Sequence, residues 1–289
     1  MAAIAIALGS SALWGTADFL GGLKSRRIPV AVVLSCMYGT ALATMLMVTL
    51  ARGVGPPGSQ AILAGLCAGL FGITALASFY RALAIGTMSI VAPIAATGVA
   101  LPVIVGLAGG DRPGALRSVG LAAAVIGVVL ASRENGGDAS GLAAQRQSIV
   151  LALAAGLGFG MYFVLSEIAS RDDVAWALLL SRASGTPLVV GFALFTLWRA
   201  AGGGGRGHRL GAREVAALAG IGLLDLGANL LFNVATTIGE LSTVAVASSL
   251  YPVSTVLLAA LVLGERVRGT QRTGVLVTLG GVLLIAAGA

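Results

Sequence analysis

The sequence is poor in charge. Only 10% of its 289 residues are Asp, Glu, Lys or Arg, while 57% are hydrophobic, whereas a soluble domain contains about 25% charged residues. This deficit excludes an ordinary soluble domain, and the apolar content excludes a disordered chain. Two cysteines are too few for a disulfide scaffold. The class that remains is a protein whose main solvent is lipid.

Histidine is almost absent as well. The one histidine, His208, falls in the glycine-rich loop 202–211, so Ser-His or metal-His chemistry within the apolar segments has no histidine to use. The four glycines from Gly202 are not followed by the Gly-Lys-Ser/Thr of a phosphate-binding loop. The sequence therefore predicts no enzyme, no cofactor and no metal site. Without an ATP-binding domain, active transport would draw on an ion gradient or on the gradient of the cargo itself.

Basic residues exceed acidic ones, 18 to 11. They lie mostly in short loops between apolar runs, where such residues set membrane topology and contact anionic lipid headgroups. No basic stretch carries aromatic stacking residues, so nucleic acid is not an expected partner.

Long apolar runs are what the sequence has in abundance. A transmembrane helix needs about 20 apolar residues, and ten runs bounded by Gly, Pro or charge come close to that length. They predict an all-α integral membrane protein with ten transmembrane helices, divided into two groups of five by the polar stretch Arg133–Gln147. The runs are Ala3–Leu23, Ile28–Leu50, Ala61–Leu83, Met88–Ala108, Ala115–Ala131, Ile149–Ser170, Val174–Trp198, Val215–Ile238, Thr243–Leu263 and Thr273–Ala287.

Four short matches, in the same order in both halves, predict an internal repeat. They are Trp14-Gly15 with Phe159-Gly160 at an offset of 145 residues, Ala64-Gly65 with Ala219-Gly220 at 155, Gly86-x-x-Ser89 with Gly239-x-x-Ser242 at 153, and Gly110-Asp111-Arg112 with Gly264-Glu265-Arg266 at 154. Because each half has an odd number of helices, the second must enter the membrane from the opposite side. We expect two inverted five-helix repeats, residues 1–140 and 141–289, with a substrate site between them.

Several of these stretches carry a family resemblance. They are Tyr80-Arg81-Ala82-Leu83-Ala84-Ile85-Gly86, Ser89-Ile90-Val91-Ala92-Pro93-Ile94, Leu250-Tyr251-Pro252-Val253 and Leu263-Gly264-Glu265-Arg266, with Trp14-Gly15. Over essentially the whole chain they resemble the EamA-type transporters of the drug/metabolite transporter superfamily. The resemblance implies ten helices in two inverted halves, a central cavity, and export of amino acids or other small metabolites. In one departure, the first half has Asp111 where such transporters usually have Glu, which keeps the charge.

The eighth run contains a polar stripe. Asp225, Asn229 and Asn233 are four residues apart and so share one helix face. Facing lipid, their hydrogen-bonding groups would stay unsatisfied, so the stripe faces either a cavity or a hydrogen-bonded seam with another helix. At an offset of 155, Thr74 and Ser78 match the two asparagines and Arg81 continues that face; matching stripes in both halves favour the cavity.

The first run offers a second candidate pair, Trp14 and Asp18. A Trp near the middle of a span, away from the membrane interfaces where Trp is commonest, indicates either a ring lining a site or core packing. Asp18 either binds a substrate ammonium or a proton, or simply pairs with Lys24 or extends towards the interface.

Two further charges within spans have expected partners. Glu167 precedes Arg171 by four residues, the favourable order for an intrahelical ion pair. Arg182 lies deeper in its run and needs a counter-charge, for which Asp225 is the candidate. Such a pair would give Asp225 a partly structural role.

Prolines interrupt the fourth and ninth runs at Pro93, Pro102 and Pro252. A proline removes a backbone donor and frees a carbonyl, so the stretches around Thr97 and around Ser248 to Tyr251 are either bent segments beside the cavity or kinks needed for packing.

Together these features predict a secondary transporter with a central cavity that opens to either side in turn, in the bacterial inner membrane, as a monomer or homodimer. The expected partners are a small-molecule substrate, membrane lipid and a proton as candidate coupling ion, with Asp18 or Asp225 binding an amine or that proton. The predicted lining is Trp14, Asp18, Thr74, Ser78, Thr97, Asp225, Asn229, Asn233, Ser248 and Tyr251. The alternative is a non-transporting membrane scaffold or lipid-handling protein, whose polar faces would be filled by side chains.

The orientation in the membrane stays open. Of the 18 basic residues, 13 fall on the side of the loop between the first two runs, four fall on the other side, and Arg182 lies within a run. The positive-inside rule then predicts that both termini are outside, whereas the family resemblance implies cytoplasmic termini.

Overall fold

A computed structural model describes residues 2–108, 115–131, 139–202, 210–239, 241–265 and 269–287. Within these ranges the chain is helical, with short turns between helices. The helices are α1 (Ala2–Ser25), α2 (Val30–Arg52), α3 (Ser59–Ile85), α4 (Met88–Ala96), a 3-10 turn (Thr97–Val99), α5 (Ala100–Ala108), α6 (Ala115–Ala131), α7 (Ala139–Ser170), α8 (Val174–Gly202), α9 (Ala212–Ile238), α10 (Leu241–Ser248), α11 (Tyr251–Leu263) and α12 (Gly269–Ala287). The motif Gly110-Asp111-Arg112, Arg266 and His208 lie outside the described residues.

Six helices are long and apolar enough to cross a membrane, counted over the described residues. They are α1, α2, α3, most of α7 (Gly141–Ser170), most of α8 (Val174–Arg199) and α9, with Met88–Pro102 and Tyr251–Leu263 as shorter apolar helices. At 1.5 Å per residue, the shortest of the six, the 23-residue α2, extends about 35 Å, which exceeds the hydrocarbon thickness of a bilayer.

The outer surface of the helices is apolar. Large side chains such as Leu50, Leu63, Leu157 and Leu261 are each more than 60% exposed, whereas soluble monomers rarely expose contiguous apolar surface on this scale. Because lipid contacts such side chains without cost while every backbone polar group is satisfied within a helix, the protein is a multi-pass integral membrane protein.

The helix bounds follow the apolar runs to within about four residues, with one exception. The helix of the sixth run starts at Ala139, ten residues before the predicted Ile149, so the polar stretch between the halves is helical from that residue on. Gln145, Arg146 and Gln147 are good helix formers, and no proline stands in their way. The polar sequence marked the end of the apolar segment and not the end of the helix.

The fourth and ninth runs are broken helices. Between α4 and α5 the backbone tightens into the 3-10 turn. Pro102 follows the end of this turn by three residues and has no backbone N–H to donate to the preceding helical turn. Here Gly98 lies against the backbone of Gly156, so close that a Cβ at Gly98 would fall 2.0 Å from the Gly156 carbonyl oxygen. In the ninth run, Ser249 and Leu250 form the turn between α10 and α11, and Pro252 lies in the first turn of α11. The first break therefore serves close packing on α7.

The helices pack across the two halves of the chain. Helix α3 packs on α7 and α8, and helix α9 packs on α1 and α2. Two further contacts join one helix of each half, α6 with α12 and α2 with α8. Small residues permit the closest of these approaches: a Cβ at Gly69 of α3 would fall 2.1 Å from the Ser181 carbonyl oxygen of α8.

Candidate functional site

A cavity lies at the centre of the bundle, and both halves of the chain contribute to its wall. The space open to the centre of a water molecule is about 40 Å³, enough for about three water molecules. The lining residues are Trp14 and Asp18 of α1, Tyr38 of α2, Gly72 and Leu76 of α3, Phe159, Tyr162 and Phe163 of α7, Arg182 of α8, Asp225 and Asn229 of α9, and Tyr251 of α11.

A buried ion pair forms one side of the cavity. Arg182 Nη2 donates to Asp225 Oδ2 over 2.8 Å, with both side chains less than a tenth exposed. The guanidinium also lies over the Tyr38 ring, 4.5 Å from its centroid. The pairing expected from the sequence is present, so Asp225 holds Arg182 in place as well as lining the cavity.

The stripe on α9 continues into a hydrogen-bonded seam with α7. The Tyr162 hydroxyl donates to Asn229 Oδ1, and Ser166 and Ser170 both donate to Asn233 Oδ1 over 2.8 Å. Asn233 is fully buried and does not line the cavity. Both readings of the stripe therefore apply: Asp225 and Asn229 face the cavity, and Asn233 joins two helices.

The pair on α1 also lines the cavity. Trp14 packs against Phe163 and Phe232, with ring centroids 5.8 and 5.6 Å away, so its ring is both core and cavity wall. Asp18 is only 5% exposed. Among the described residues it forms no ion pair, with Lys24 or any other cation, and accepts no hydrogen bond.

The other residues expected from the sequence divide into those on the cavity and those away from it. Tyr251 lines it, but Thr74 is exposed on the outside of α3 and donates to the Leu70 carbonyl of its own helix. Ser78 likewise donates to the Thr74 carbonyl, and Thr97 to that of Ile94. Ser248 is fully buried, with its hydroxyl 3.4 Å from the Ala7 carbonyl oxygen. Arg81, which extends the Thr74 face, is also exposed.

Sequence reasoning omitted several lining residues. Phe159 and Phe163 were accessible through the repeat, because the 145-residue offset that pairs Trp14 with Phe159 also pairs Asp18 with Phe163. Tyr38 and Tyr162 carry no comparable signal, since an aromatic residue in an apolar run is ordinarily core.

Polar contacts tie the loops at the two ends of the bundle. At one end, Arg26 donates to Glu265 Oε1 over 3.0 Å, and the second Glu265 oxygen accepts from the backbone N–H and hydroxyl of Ser89, each over 3.1 Å. At the other, Arg52 binds both carboxylate oxygens of Asp173 at 2.8 and 2.7 Å. The two arginines are separated by the length of α2.

Ion pairs shift the pKa values of two charged groups in the short turn after α7. The hydrogen bonds from Arg52 hold the pKa of the Asp173 carboxyl below its usual value. Glu167 accepts from Arg171 over 2.8 Å, as the four-residue spacing predicts, and raises the pKa of the Arg171 guanidinium. Among the described residues, no group of three His, Cys, Asp or Glu side chains could hold a metal ion.

Comparison with known proteins agrees with the sequence motifs. Residues 146–287 match the model of the EamA-like transporter family, which confirms the resemblance found in the sequence. No curated protein matches the chain. A solved structure titled only "Crystal structure of protein" aligns with 99% of this chain and 97% of its own, with a TM-score of 0.65 and 17% identity. At that identity the alignment shows a shared fold.

Proposed function

Because its second half belongs to the EamA-like transporter family, we propose that this chain is a secondary-active exporter of amino acids or other small polar metabolites. In this proposal the cavity is the transport site, and it opens to either side of a bacterial inner membrane in turn, with a proton as the candidate coupling ion. The observation that carries the proposal is the cavity itself, in which Asp18, Arg182, Asp225 and Asn229 face one another between helices of both halves.

The packing of the helices supports the inverted-repeat part of the proposal. We take α4 with α5, and α10 with α11, as one broken span each, which makes ten spans, five in residues 1–140 and five in 141–289. Exchanging the halves then converts the α3–α7 contact into α9–α1 and the α3–α8 contact into α9–α2, and both members of each pair occur. Two related halves around a central site can alternate between two equivalent arrangements.

The polar contacts at the two ends of the bundle are the contacts that would break when the cavity opens to either side. Opening the cavity towards the Arg26 end requires Glu265 to separate from Arg26 or Ser89, while opening towards the other end requires the loops joined by Arg52 and Asp173 to part. Exposed ion pairs contribute about 0–1 kcal/mol, so either end can open at small cost.

Access from water tests the proposal. In a background where the two half-buried cysteines Cys36 and Cys67 are replaced by alanine, we would compare Leu76→Cys with Thr74→Cys on the same helix. Leu76 lines the cavity, while Thr74 is exposed on the outer surface. A membrane-impermeant, water-soluble thiol reagent should modify Leu76→Cys and leave Thr74→Cys, which faces lipid, unmodified.

A flux assay completes that test. Proteoliposomes loaded with metabolite pools should release selected species, with and without a pH gradient, and Asp18→Asn and Asp225→Asn should each reduce release at least about tenfold, because each removes a charge from the site. If the thiol reagent modifies Leu76→Cys from neither side of the membrane and nothing is released, the chain is a scaffold or lipid-handling protein. The hydrogen bonds of Asn233 to α7 are also compatible with that alternative.

A further inference from the structure

The charges on the cavity wall do not balance. The wall holds three side chains that carry charge at neutral pH when ionised, namely Asp18, Arg182 and Asp225. Arg182 and Asp225 neutralise each other through their 2.8 Å contact. Asp18 has no cationic partner among the described residues, so an ionised Asp18 leaves the wall with one uncompensated negative charge.

Two hydrogen-bond acceptors on this wall, and the Nε–H donor of Arg182, also lack hydrogen-bond partners within the described part of the chain. The Asp18 carboxylate accepts no hydrogen bond there, and the buried Tyr251 hydroxyl neither donates nor accepts one. Both acceptors line the same cavity. Burying a charged or polar group without a partner is costly, so a ligand that satisfies both groups is strongly favoured here.

We propose that Asp18 and Tyr251 bind the ammonium group of the cargo, and that the cargo is a cationic amine. This inference rests on the proposed function, because it takes the cavity as the transport site. An ammonium group offers N–H donors to the carboxylate and to the Tyr251 oxygen, and its charge neutralises the wall. The ring of Trp14, four residues before Asp18 on the same helix, adds the aromatic face that binds cations best.

The same wall disfavours a carboxylate on the cargo. Its one cation, Arg182, is held by Asp225 and packed over Tyr38. A cargo carboxylate that bound the unpartnered Nε–H of Arg182 would add a negative charge beside Asp225. One that displaced Asp225 would leave that carboxylate buried without a counter-ion, which is strongly unfavourable. A zwitterion that did not displace Asp225 would leave the site with a net negative charge. The geometry therefore selects an amine over an amino acid of the same side chain.

Three small molecules with the same branched alkyl group separate these classes. Isobutylamine is a cation at neutral pH, valine is a zwitterion and 3-methylbutanoate is an anion. Binding to purified protein in lipid nanodiscs would be followed by the fluorescence of Trp14 in a Trp176→Phe/Trp198→Phe background, which leaves the cavity indole as the only tryptophan. Asp18→Asn is the test variant, and Glu167→Gln, which removes a carboxylate outside the cavity, is its matched control.

We expect isobutylamine to bind at least about tenfold more tightly than valine and 3-methylbutanoate. Asp18→Asn should weaken isobutylamine binding at least about tenfold, as expected for a lost hydrogen bond to a charged group, and Glu167→Gln should not change it. Equal or tighter binding of valine, no isobutylamine binding, or an unchanged affinity in Asp18→Asn would each overturn the inference. The ligand comparison needs only the wild-type site, so it decides the matter even if Asp18→Asn fails to fold. Release of other metabolites from proteoliposomes would in that case leave the proposed function standing.

Discussion

Helices α3 and α9 are the same length and make comparable contacts, α3 with α7 and α8 and α9 with α1 and α2, yet they bring different residues to the cavity. Each has 27 residues. Helix α9 brings buried Asp225, Asn229 and Asn233 into the centre. Helix α3 brings glycines: Gly72 lines the cavity, and Gly69 lies against the backbone of α8. Helix α9 therefore supplies polar side chains, and helix α3 allows close packing against α8.

In the repeat that we propose, the packing of the helices is preserved while the chemistry of their side chains is not. At an offset of 153 residues, which the Gly86 and Gly239 motifs share, Asp225 falls on Gly72 and Asn229 on Leu76. All four residues line the cavity. Under the proposed repeat, the wall positions therefore correspond while the residues at them differ, which makes the chemistry of the site asymmetric.

The largest expected effect tests the polar role of α9. Arg182→Met would leave Asp225 buried without its counter-ion, and breaking a buried pair in this way costs about 3–5 kcal/mol. We expect a clear fall in the melting temperature of the purified protein in detergent.

The double variant Arg182→Met/Asp225→Leu is the control for that experiment. It removes both charges and should recover most of the lost stability, because apolar replacement of a whole buried pair is often neutral. A single variant as stable as the wild type, or a double variant no more stable than the single one, would mean that the pair does not hold α8 to α9.

Much of the fold could be predicted from the sequence because lipid simplifies the problem. Every backbone polar group in a bilayer must bond within its own helix, so the length of an apolar run nearly fixes the helix, as for α2 and α9. The start of α7 at Ala139 was not predicted from the apolar run, because beyond the bilayer a helix continues through polar residues wherever their helix propensity allows.

The candidate site could be predicted only where a side chain has no local way to satisfy itself. The Asp225 carboxylate and the Asn229 side-chain oxygen need donors from outside their own helix, and the four-residue spacing predicted that they face the cavity. Thr74 and Ser78 were expected there because of the 155-residue offset, but two residues on a helix correspond to about 200° of rotation. Their hydroxyls bond to carbonyls of their own helix, so an outward position costs them little. The partner of Arg182 was predicted, whereas the contact with Tyr38 depends on packing that no spacing reveals.

The next effect tests the packing role of α3. In Gly69→Ala the new Cβ would fall 2.1 Å from the Ser181 carbonyl oxygen, so α3 and α8 must separate, at a cost of about 2–3 kcal/mol. The matched change on the other helix is Gly220→Ala, where a Cβ meets nothing within 4 Å. There we expect no loss, or a gain of about 0.5 kcal/mol from helix propensity. Thermal unfolding of both variants measures the contrast, and equal melting temperatures would contradict the assignment of close packing to α3.

The smallest effect compares polar residues that the sequence alone pairs at an offset of 155. Asn233→Ala removes the acceptor shared by Ser166 and Ser170 and should cost about 1–2 kcal/mol, since buried donors lose their partner. Ser170 limits the loss because its hydroxyl also bonds to the Ser166 carbonyl. Ser78→Ala removes only a hydrogen bond within α3 and should change the free energy of unfolding by less than about 0.5 kcal/mol.

Combining Asn233→Ala with Ser166→Ala should cost less than the sum of the two single changes, because both break the same hydrogen bond. Simple additivity in that double variant, or a Ser78→Ala effect as large as that of Asn233→Ala, would show that the seam between α7 and α9 does not distinguish the two halves.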